Sequence, residues 1–74
     1  MHQDEARARV RIELDKATSK HRSLASFHEG YAVILEELDE LWDEIKKNSP
    51  DRERIKEEAI QVGAMATRFL VDLL

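Results

Sequence analysis

The chain has 74 residues, including two glycines, one proline and no cysteine. Doubly wound nucleotide-binding folds and barrels are excluded because they need well over twice this length, and two glycines are too few for the turns of a small all-β domain. With 38% charged and 42% hydrophobic residues, the composition is typical of a folded amphipathic domain. We predict a single all-α domain over residues 1–74. A core of this size supplies only about 3–5 kcal/mol, so we expect oligomerisation to add to it.

The net charge of −4 is concentrated in one segment. Residues 26–50 carry seven acidic and two basic side chains. Residues 1–25 carry four acidic and six basic side chains, and residues 51–74 carry five acidic and four basic ones. This distribution does not suit a nucleic-acid polymer, whose backbone requires a basic surface, and it favours cations. No apolar run reaches the ~18 residues of a membrane span, and the first residues contain no apolar signal region. We therefore expect a cytoplasmic protein that binds neither nucleic-acid polymers nor membranes.

The first predicted helix covers about residues 4–21. Ala6, Val10, Leu14 and Ala17 recur at spacings of four, four and three, which is the period of one helix face. Because this stripe is narrow, the first helix offers less apolar surface for packing than the two helices that follow it.

The second predicted helix covers about residues 26–47. Ser26-x-x-Glu29 forms a capping box, in which the serine oxygen accepts a free backbone N–H and the glutamate reaches back to the cap. Lys46 and Lys47 complement the negative end of the helix dipole. An apolar seam follows at alternating steps of three and four, and it consists of Tyr31, Ile34, Leu38, Leu41 and Ile45.

The third predicted helix covers about residues 50–74. Ser49 is the expected N-cap, with Pro50 at the first helical position and Asp51 behind it. Gly63 and Ala64 make the middle of this helix slim, which either lets a partner helix approach closely or is an ordinary patch of small residues. The apolar seam consists of Ile55, Ala59, Val62, Ala66, Phe69 and Leu73.

The two seams predict an antiparallel hairpin of the second and third helices. Each helix also carries apolar residues that widen its seam, and these are Leu35, Trp42, Ile60, Leu70 and Leu74. A hairpin alone would leave much of this surface in contact with water. We therefore expect a second copy of the chain to complete a four-helix bundle, in a homodimer or a homotetramer.

Two polar pairs are predicted to flank the seams. Glu37 and Glu40 lie three residues apart on the second helix, and Glu58 and Gln61 lie three residues apart on the third. Antiparallel packing of the two helices could bring all four side chains together, and their oxygens are the ligands that Mg²⁺ prefers. The alternative is a solvated acidic face in which i, i+4 pairs with lysine and arginine account for the charge.

The segment 28–41 resembles the first metal helix of the MazG-like, all-α nucleotide pyrophosphohydrolases. In that family an EExxE motif is followed, after a short loop, by a helix with an ExxD motif. The corresponding residues here are Glu36, Glu37 and Glu40 in the first motif, and Glu58 and Gln61 in the second. The resemblance covers about residues 26–74.

This resemblance implies that the chain hydrolyses a nucleoside or deoxynucleoside triphosphate to the monophosphate and pyrophosphate. It implies Mg²⁺, or Mn²⁺, held by Glu37, Glu40, Glu58 and Gln61. Glu36 would polarise the attacking water, although its outward position requires a neighbouring chain to cover it. Gln61 replaces the family's aspartate, and because an amide offers a carbonyl oxygen without a negative charge, we expect weaker metal binding.

Substrate contacts are predicted from charge and aromatic character alone, for Lys20, Arg22, His28, Trp42 and Arg54, with His21 and Lys56 as further cations. His28 would otherwise be a surface or interface residue, and Trp42 a core residue. One chain has too few helices to enclose a nucleotide, so we expect a working site to be built across subunits. A second hypothesis, favoured by Gln61, is a non-catalytic helical oligomerisation or adaptor protein that retains this fold.

Overall fold

The computed structural model describes all 74 residues and contains three helices and no strand. Helix α1 spans Gln3–Lys20, α2 spans Phe27–Ile45 and α3 spans Arg52–Leu73. The predicted all-α fold is confirmed. No helix combines the length and the apolar character that crossing a bilayer requires.

Helix α3 lies between the other two helices, and α1 and α2 do not contact each other. Helix α2 runs antiparallel to α3, because Gly30 near its start lies against Phe69 and Leu73 near the end of α3. Helix α1 runs parallel to α3. Arg9 of α1 donates a hydrogen bond to Glu57 of α3. Four residues later in both helices, Glu13 accepts a hydrogen bond from Gln61. The fold therefore has a central helix with one partner on each side.

The start of α2 is the one that its capping box predicts. Ser26 Oγ accepts a hydrogen bond from the backbone N–H of Glu29 at 3.1 Å. The Glu29 carboxylate reaches back to the N–H of Ala25 at 2.8 Å, one residue before the cap. Helix α2 ends at Ile45, two residues earlier than predicted, with Lys46 as its C-cap.

The predicted start of α3 is wrong by two residues. Asp51, and not Ser49, is the N-cap, and its carboxylate accepts from the backbone N–H groups of Glu53 and Arg54 at 2.9 and 3.4 Å. A carboxylate accepts two such bonds and also places a negative charge at the positive end of the helix dipole, which the serine hydroxyl does not. Pro50 consequently lies outside the helix.

The buried core is small and belongs mainly to α3. Ile60, Ala64 and Met65 of α3 and Leu24 of the segment between α1 and α2 are its buried apolar side chains. The predicted stripe of α1 is half-buried against α3, and a Cβ added at Gly63 would lie 3.2 Å from the Val10 side chain. The slim middle of α3 therefore serves the close approach of α1.

The seam predicted for α2 is only partly turned towards the core, because Ile34 and Leu41 are half-buried and its other three members are exposed. Tyr31, Leu38 and Ile45 are 65%, 48% and 42% exposed. The side of α2 that faces α3 instead carries Gly30, which is buried, and Glu37, which is half-buried. The reason is steric. A Cβ at position 30 would lie 2.9 Å from a methyl group of Leu73 and even closer to the Phe69 ring, so only glycine allows this close contact.

Most of the apolar surface of α2 consequently points away from the chain's own core. We call this surface the outer face, and it consists of Phe27, Tyr31, Leu35, Leu38, Trp42 and Ile45 of α2 with Ala66 and Leu70 of α3. Ala59 and Ala66 were both predicted in the α3 seam and are exposed. The Phe27 ring stacks on the Phe69 ring with centroids 6.0 Å apart, beside an apolar cavity of about 550 Å³.

Candidate functional site

A cavity of about 670 Å³ lies between α1 and α2, with α3 as its floor. It exists because the two outer helices flank α3 without touching each other. The α1 wall is formed by Glu13, Lys16, Ala17 and Lys20. The α2 wall is formed by Glu29, Val33, Glu36 and Glu37. The floor is formed by Gln61, Met65 and Arg68. His21, Arg22 and Leu24 line it between the ends of α1 and α2.

The connecting segment is held to the end of α3 by a buried ion pair. Arg68 Nε lies 3.4 Å from Asp72 Oδ2, and both side chains are 8% exposed. Arg68 Nη2 also donates to the carbonyl oxygen of Arg22 at 2.6 Å, and Asp72 accepts from the N–H of Leu24 at 2.9 Å. Both buried charges therefore gain backbone partners, which fix the position of residues 22–24 beside the cavity.

Three carboxylates converge beside this cavity, and we call them the carboxylate cluster. Glu37 and Glu40 lie one turn apart on α2, and Glu58 approaches them from the antiparallel α3. One oxygen of each lies within 4.8 Å of one oxygen of each of the others. Glu37 belongs to both the cluster and the cavity wall, so the two features are continuous.

Burial and mutual proximity raise the pKa of two members of this cluster, Glu37 and Glu58. Burial, followed by the charge of Glu40, raises the pKa of Glu37 to about 7. Burial and the charge of Glu40 also raise the pKa of Glu58, against a lowering contribution from Arg54. Without a cation, the folded chain therefore holds protons that separated carboxyl groups would release well below pH 7.

The cluster offers the donor set that a small divalent cation requires. Glu58 Oε2 is shielded from water and has no hydrogen-bond partner, which leaves a costly polar atom free to bind a cation. Opposite ligands of Mg²⁺ are separated by about 4.2 Å, twice the usual bond length. The cluster oxygens lie within 4.8 Å of one another, a limit somewhat larger than that separation. Hard oxygen ligands of this kind fit Mg²⁺ or Mn²⁺.

The structure places the other two residues of the motifs on the cavity rather than in the cluster. Glu36 is exposed and lines the α2 wall beside Glu37. Gln61 lines the floor, where its amide Nε2 donates to Glu13 Oε2 at 2.9 Å. Glu36 thus faces the cavity without a neighbouring chain covering it.

Of the predicted substrate residues, Lys20 and Arg22 line the cavity, as does His21. Arg22 forms a two-pronged pair with Glu29 at 3.0 and 2.7 Å, and this guanidinium lowers the pKa of Glu29 to about 2. Lys20 takes part in none of the chain's ion pairs. It is therefore available to a bound anion.

The remaining predicted substrate residues do not reach the cavity. His28 is exposed in the first turn of α2, and Trp42, 58% exposed, belongs to the outer face and not to the core. Arg54 and Lys56 lie in the first turns of α3, where Lys56 pairs with Glu53 at 2.9 Å. Neither side chain lines the cavity, although Arg54 lies one turn before Glu58 and lowers the pKa of that carboxyl.

Four charged residues of the cavity were not predicted as site residues from the sequence, namely Glu13, Lys16, Glu29 and Arg68. Glu13 lies three residues after Val10 and beside Leu14, so the half-buried stripe of α1 could have located it on the inner side of that helix. Arg68 is a cation four residues before Asp72 in a mostly apolar stretch, a spacing that indicates a paired charge.

Comparison of the chain with protein-family models, with curated proteins and with solved structures finds no match in any of the three.

Proposed function

We propose that this chain is a Mg²⁺-dependent nucleoside triphosphate pyrophosphohydrolase of the MazG-like type, which acts in the cytoplasm. The observation that carries the proposal is the carboxylate cluster at the edge of a cavity with a free cation, Lys20. A nucleotide with its phosphates in this cavity would meet positive charge on α1 and negative charge on α2. Mn²⁺ is the alternative cation for the same oxygen ligands.

In this proposal Glu37, Glu40 and Glu58 hold the cation. A bound divalent cation would neutralise phosphate oxygens and so make the phosphorus easier to attack. Lys16 and Lys20, one turn apart on α1, bind and orient the phosphate chain from the opposite wall. Lys16 is 58% exposed and pairs with Glu13 at 3.2 Å, so it can turn to an anion without breaking a buried contact.

Glu36 is the group that accepts a proton from the attacking water, because it is the exposed carboxylate next to Glu37 on the cavity wall. Water adds to the phosphorus atom of the α-phosphate. The anhydride bond between the α- and β-phosphates breaks, and pyrophosphate leaves with the electron pair of that bond. The products are a nucleoside monophosphate and pyrophosphate, with one proton passed to Glu36 and then to solvent.

The test is pyrophosphate release from a panel of NTPs and dNTPs, with Mg²⁺ or Mn²⁺, by the wild type and by Glu37→Gln. Loss of one carboxylate ligand is expected to lower kcat/KM at least about 100-fold. Asp39→Asn is the matched control, because Asp39 is an exposed acid of the same helix outside the cluster. Equal release by wild type and Glu37→Gln would show that the assigned site is wrong.

The outer face favours assembly, and we include a homodimer or homotetramer in the proposal. Tyr31, Trp42 and Leu70 are 65%, 58% and 60% exposed, and an aromatic, apolar patch of this kind is typical of a protein interface. The same observation supports the second candidate function, a non-catalytic oligomerisation or adaptor protein. A wild type that assembles through this face and releases no pyrophosphate from any nucleotide would favour that candidate.

A further inference from the structure

The outer-face residues of α2 are spaced symmetrically along the helix. Four of them follow one another at steps of four, three and four, namely Tyr31, Leu35, Leu38 and Trp42. Such steps keep side chains on one side of a helix, and all four are exposed. The series runs aromatic, leucine, leucine, aromatic, so it reads the same in both directions. We call these four residues the apolar stripe of α2.

This symmetric spacing fits a contact that has a two-fold axis. In an interface of this kind, when residue i contacts residue j of the partner, residue j also contacts the partner's residue i. If two copies of α2 pack antiparallel with the axis at the middle of the stripe, Tyr31 faces the partner's Trp42. Leu35 then faces the partner's Leu38. Every member of the stripe gains an apolar partner, and the positive start of each helix lies near the negative end of the other.

The apolar cavity of the outer face has room for one of these side chains. It has a volume of about 550 Å³, and its lining is entirely apolar or aromatic, formed by Phe27, Tyr31, Ile34, Ala66, Phe69 and Leu70. Because Tyr31 lines it, antiparallel packing brings the partner's Trp42 to this cavity. An indole ring there would meet aromatic rings, whose edges and offset faces attract it in addition to the burial of its area.

The extent of the outer face fits a second copy better than a small apolar ligand. From the exposed fractions of its large side chains, about 700 Å² of surface per copy would be withdrawn from water. Stable interfaces bury about 800 Å² per partner, so the outer face has the required size. A ligand confined to the apolar cavity would leave Leu38, Trp42 and Ile45 in water, because none of them lines it.

We propose that two copies of this chain form a symmetric dimer, in which the α2 helices pack antiparallel and the partner's Trp42 binds in the apolar cavity beside Tyr31. This inference rests on the assembly through the outer face that the proposed function includes, and it adds the direction, the register and the residue pairs of the contact. The cavity between α1 and α2 lies on the opposite side of α2, where Val33 and Glu36 form part of its wall. Each copy therefore keeps its own carboxylate cluster.

Disulfide crosslinking tests this register, since the chain has no cysteine of its own. Tyr31→Cys and Trp42→Cys are oxidised separately and as an equal mixture. In the proposed dimer, positions 31 and 42 of different copies lie at one level, whereas each is displaced along the helix by about 16 Å from the same position of the partner. A disulfide needs Cα atoms within about 7 Å. The mixture should therefore crosslink roughly half of its chains, the share of mixed dimers, and each variant alone almost none.

Other results would overturn the inference. If each variant crosslinks alone, the two α2 helices pack parallel. If the variants assemble and no mixture crosslinks, the register is different. Both results leave assembly through the outer face standing, whereas a wild type that sediments as a monomer overturns that assembly together with the inference. Pyrophosphate release by the wild type is measured separately and is independent of all three results.

A second measurement leaves the apolar stripe intact, so it decides the register even if the cysteine variants do not assemble. A nitroxide is attached to His28→Cys, at an exposed residue beside the stripe, and this protein is mixed with methyl-labelled wild type. The proposed register places the partner's Ile45 at the level of the nitroxide, although residues 28 and 45 of one chain are about 25 Å apart. The Ile45 methyl signal should lose most of its intensity. A larger loss at Ile34 than at Ile45 would indicate parallel packing and contradict the proposed dimer.

Discussion

Burial usually places the apolar side of a helix against the core and its charged side in water. The two sides of α2 are arranged the other way round. Its inner side, towards α3 and the cavity, carries Gly30 and the carboxyl groups of Glu36 and Glu37. Its outer side carries the aromatic and aliphatic residues of the outer face, with Trp42 58% exposed. A single copy thus holds the Glu37 carboxyl half-buried while the larger part of the apolar surface of α2 is exposed.

This contrast shows that hydrophobic periodicity identifies the surface that a helix buries without identifying its partner. Close contact at Gly30 decides which side of α2 meets α3 within the chain. The apolar side is left exposed. In an ordinary single-chain bundle the same residues would form the core, and the carboxylates would lie in solvent.

The largest effect is expected from placing charge on the outer face. In Leu38→Lys/Trp42→Lys, two apolar anchors are replaced by cations, which should raise the dissociation constant of the homo-oligomer at least about 100-fold. Analytical ultracentrifugation should show the wild type at a multiple of the 8.6 kDa chain mass and the variant at the chain mass. Asp39→Lys, an exposed charge reversal on α2 off the outer face, should still assemble. If the wild type is monomeric, the outer face does not mediate assembly of copies of this chain.

A smaller effect is expected at the glycine that sets the inner side. Gly30→Ala introduces a methyl group into the contact with Phe69 and Leu73, and such overpacking should lower the free energy of unfolding by about 1–3 kcal/mol. Gly63→Ala is the matched control. Its Cβ would meet only the Val10 side chain, at 3.2 Å, and the gain in helix propensity of about 0.5–1 kcal/mol offsets that contact.

Chemical denaturation of both variants would measure this difference. If Gly30→Ala proves as stable as Gly63→Ala, the close approach of α2 to α3 at this point does not determine which side of α2 is buried.

The smallest effect is a pH dependence on the inner side. The pKa of Glu37 is raised from 4.5 to about 7, so between these values the folded chain binds more protons than the unfolded chain. Stability from this group is therefore complete below about pH 4.5 and is lost as the pH rises through 7. Because the carboxyl is partly solvated, the loss should be on the order of 1 kcal/mol.

Glu37→Gln removes this titration and should make the metal-free protein more stable than the wild type at pH 8 while matching it near pH 5. Denaturation at both values, in the presence of a chelator, measures the difference. Asp39→Asn is again the control and should follow the wild type. A wild type whose stability is the same at pH 5 and pH 8 would contradict the raised pKa. Glu29, whose pKa is lowered to about 2, stabilises the folded chain equally at pH 5 and pH 8, and this contribution is lost only as the pH falls below about 4.5.

Local signals in the sequence predicted the elements well. The Ser26 cap lies where the capping box predicts it, and the half-buried stripe of α1 lies where the apolar periodicity predicts it. Both signals depend on residues within one helix turn of each other. The start of α3 was placed wrongly because Ser49 and Asp51 are both good caps, and the competition between them depends on which bonds more N–H groups.

The candidate site was only partly accessible from the sequence. The spacing of Glu37 and Glu40 places them on one side of α2, and antiparallel packing places Glu58 opposite. The cavity itself was not foreseen, because it depends on α1 lying parallel to α3 and on Arg68 holding the connecting segment. These are relations between residues far apart in the chain, which no local pattern records.

The parallel course of α1 and α3 has a consequence for how the chain acquires its structure. Three hydrogen bonds connect α1 or the segment after it to α3, and each joins residues 48 positions apart, namely Arg9 to Glu57, Glu13 to Gln61 and Leu24 to Asp72. Each of them can form only when most of the chain is present. The hairpin of α2 and α3 closes over a short loop, so we expect it to form early. Because helix α1 has no buried residue of its own, we expect it to dock after the hairpin has formed and to detach before α2 does. Since α1 forms one wall of the cavity, its detachment would open the cavity to solvent on that side.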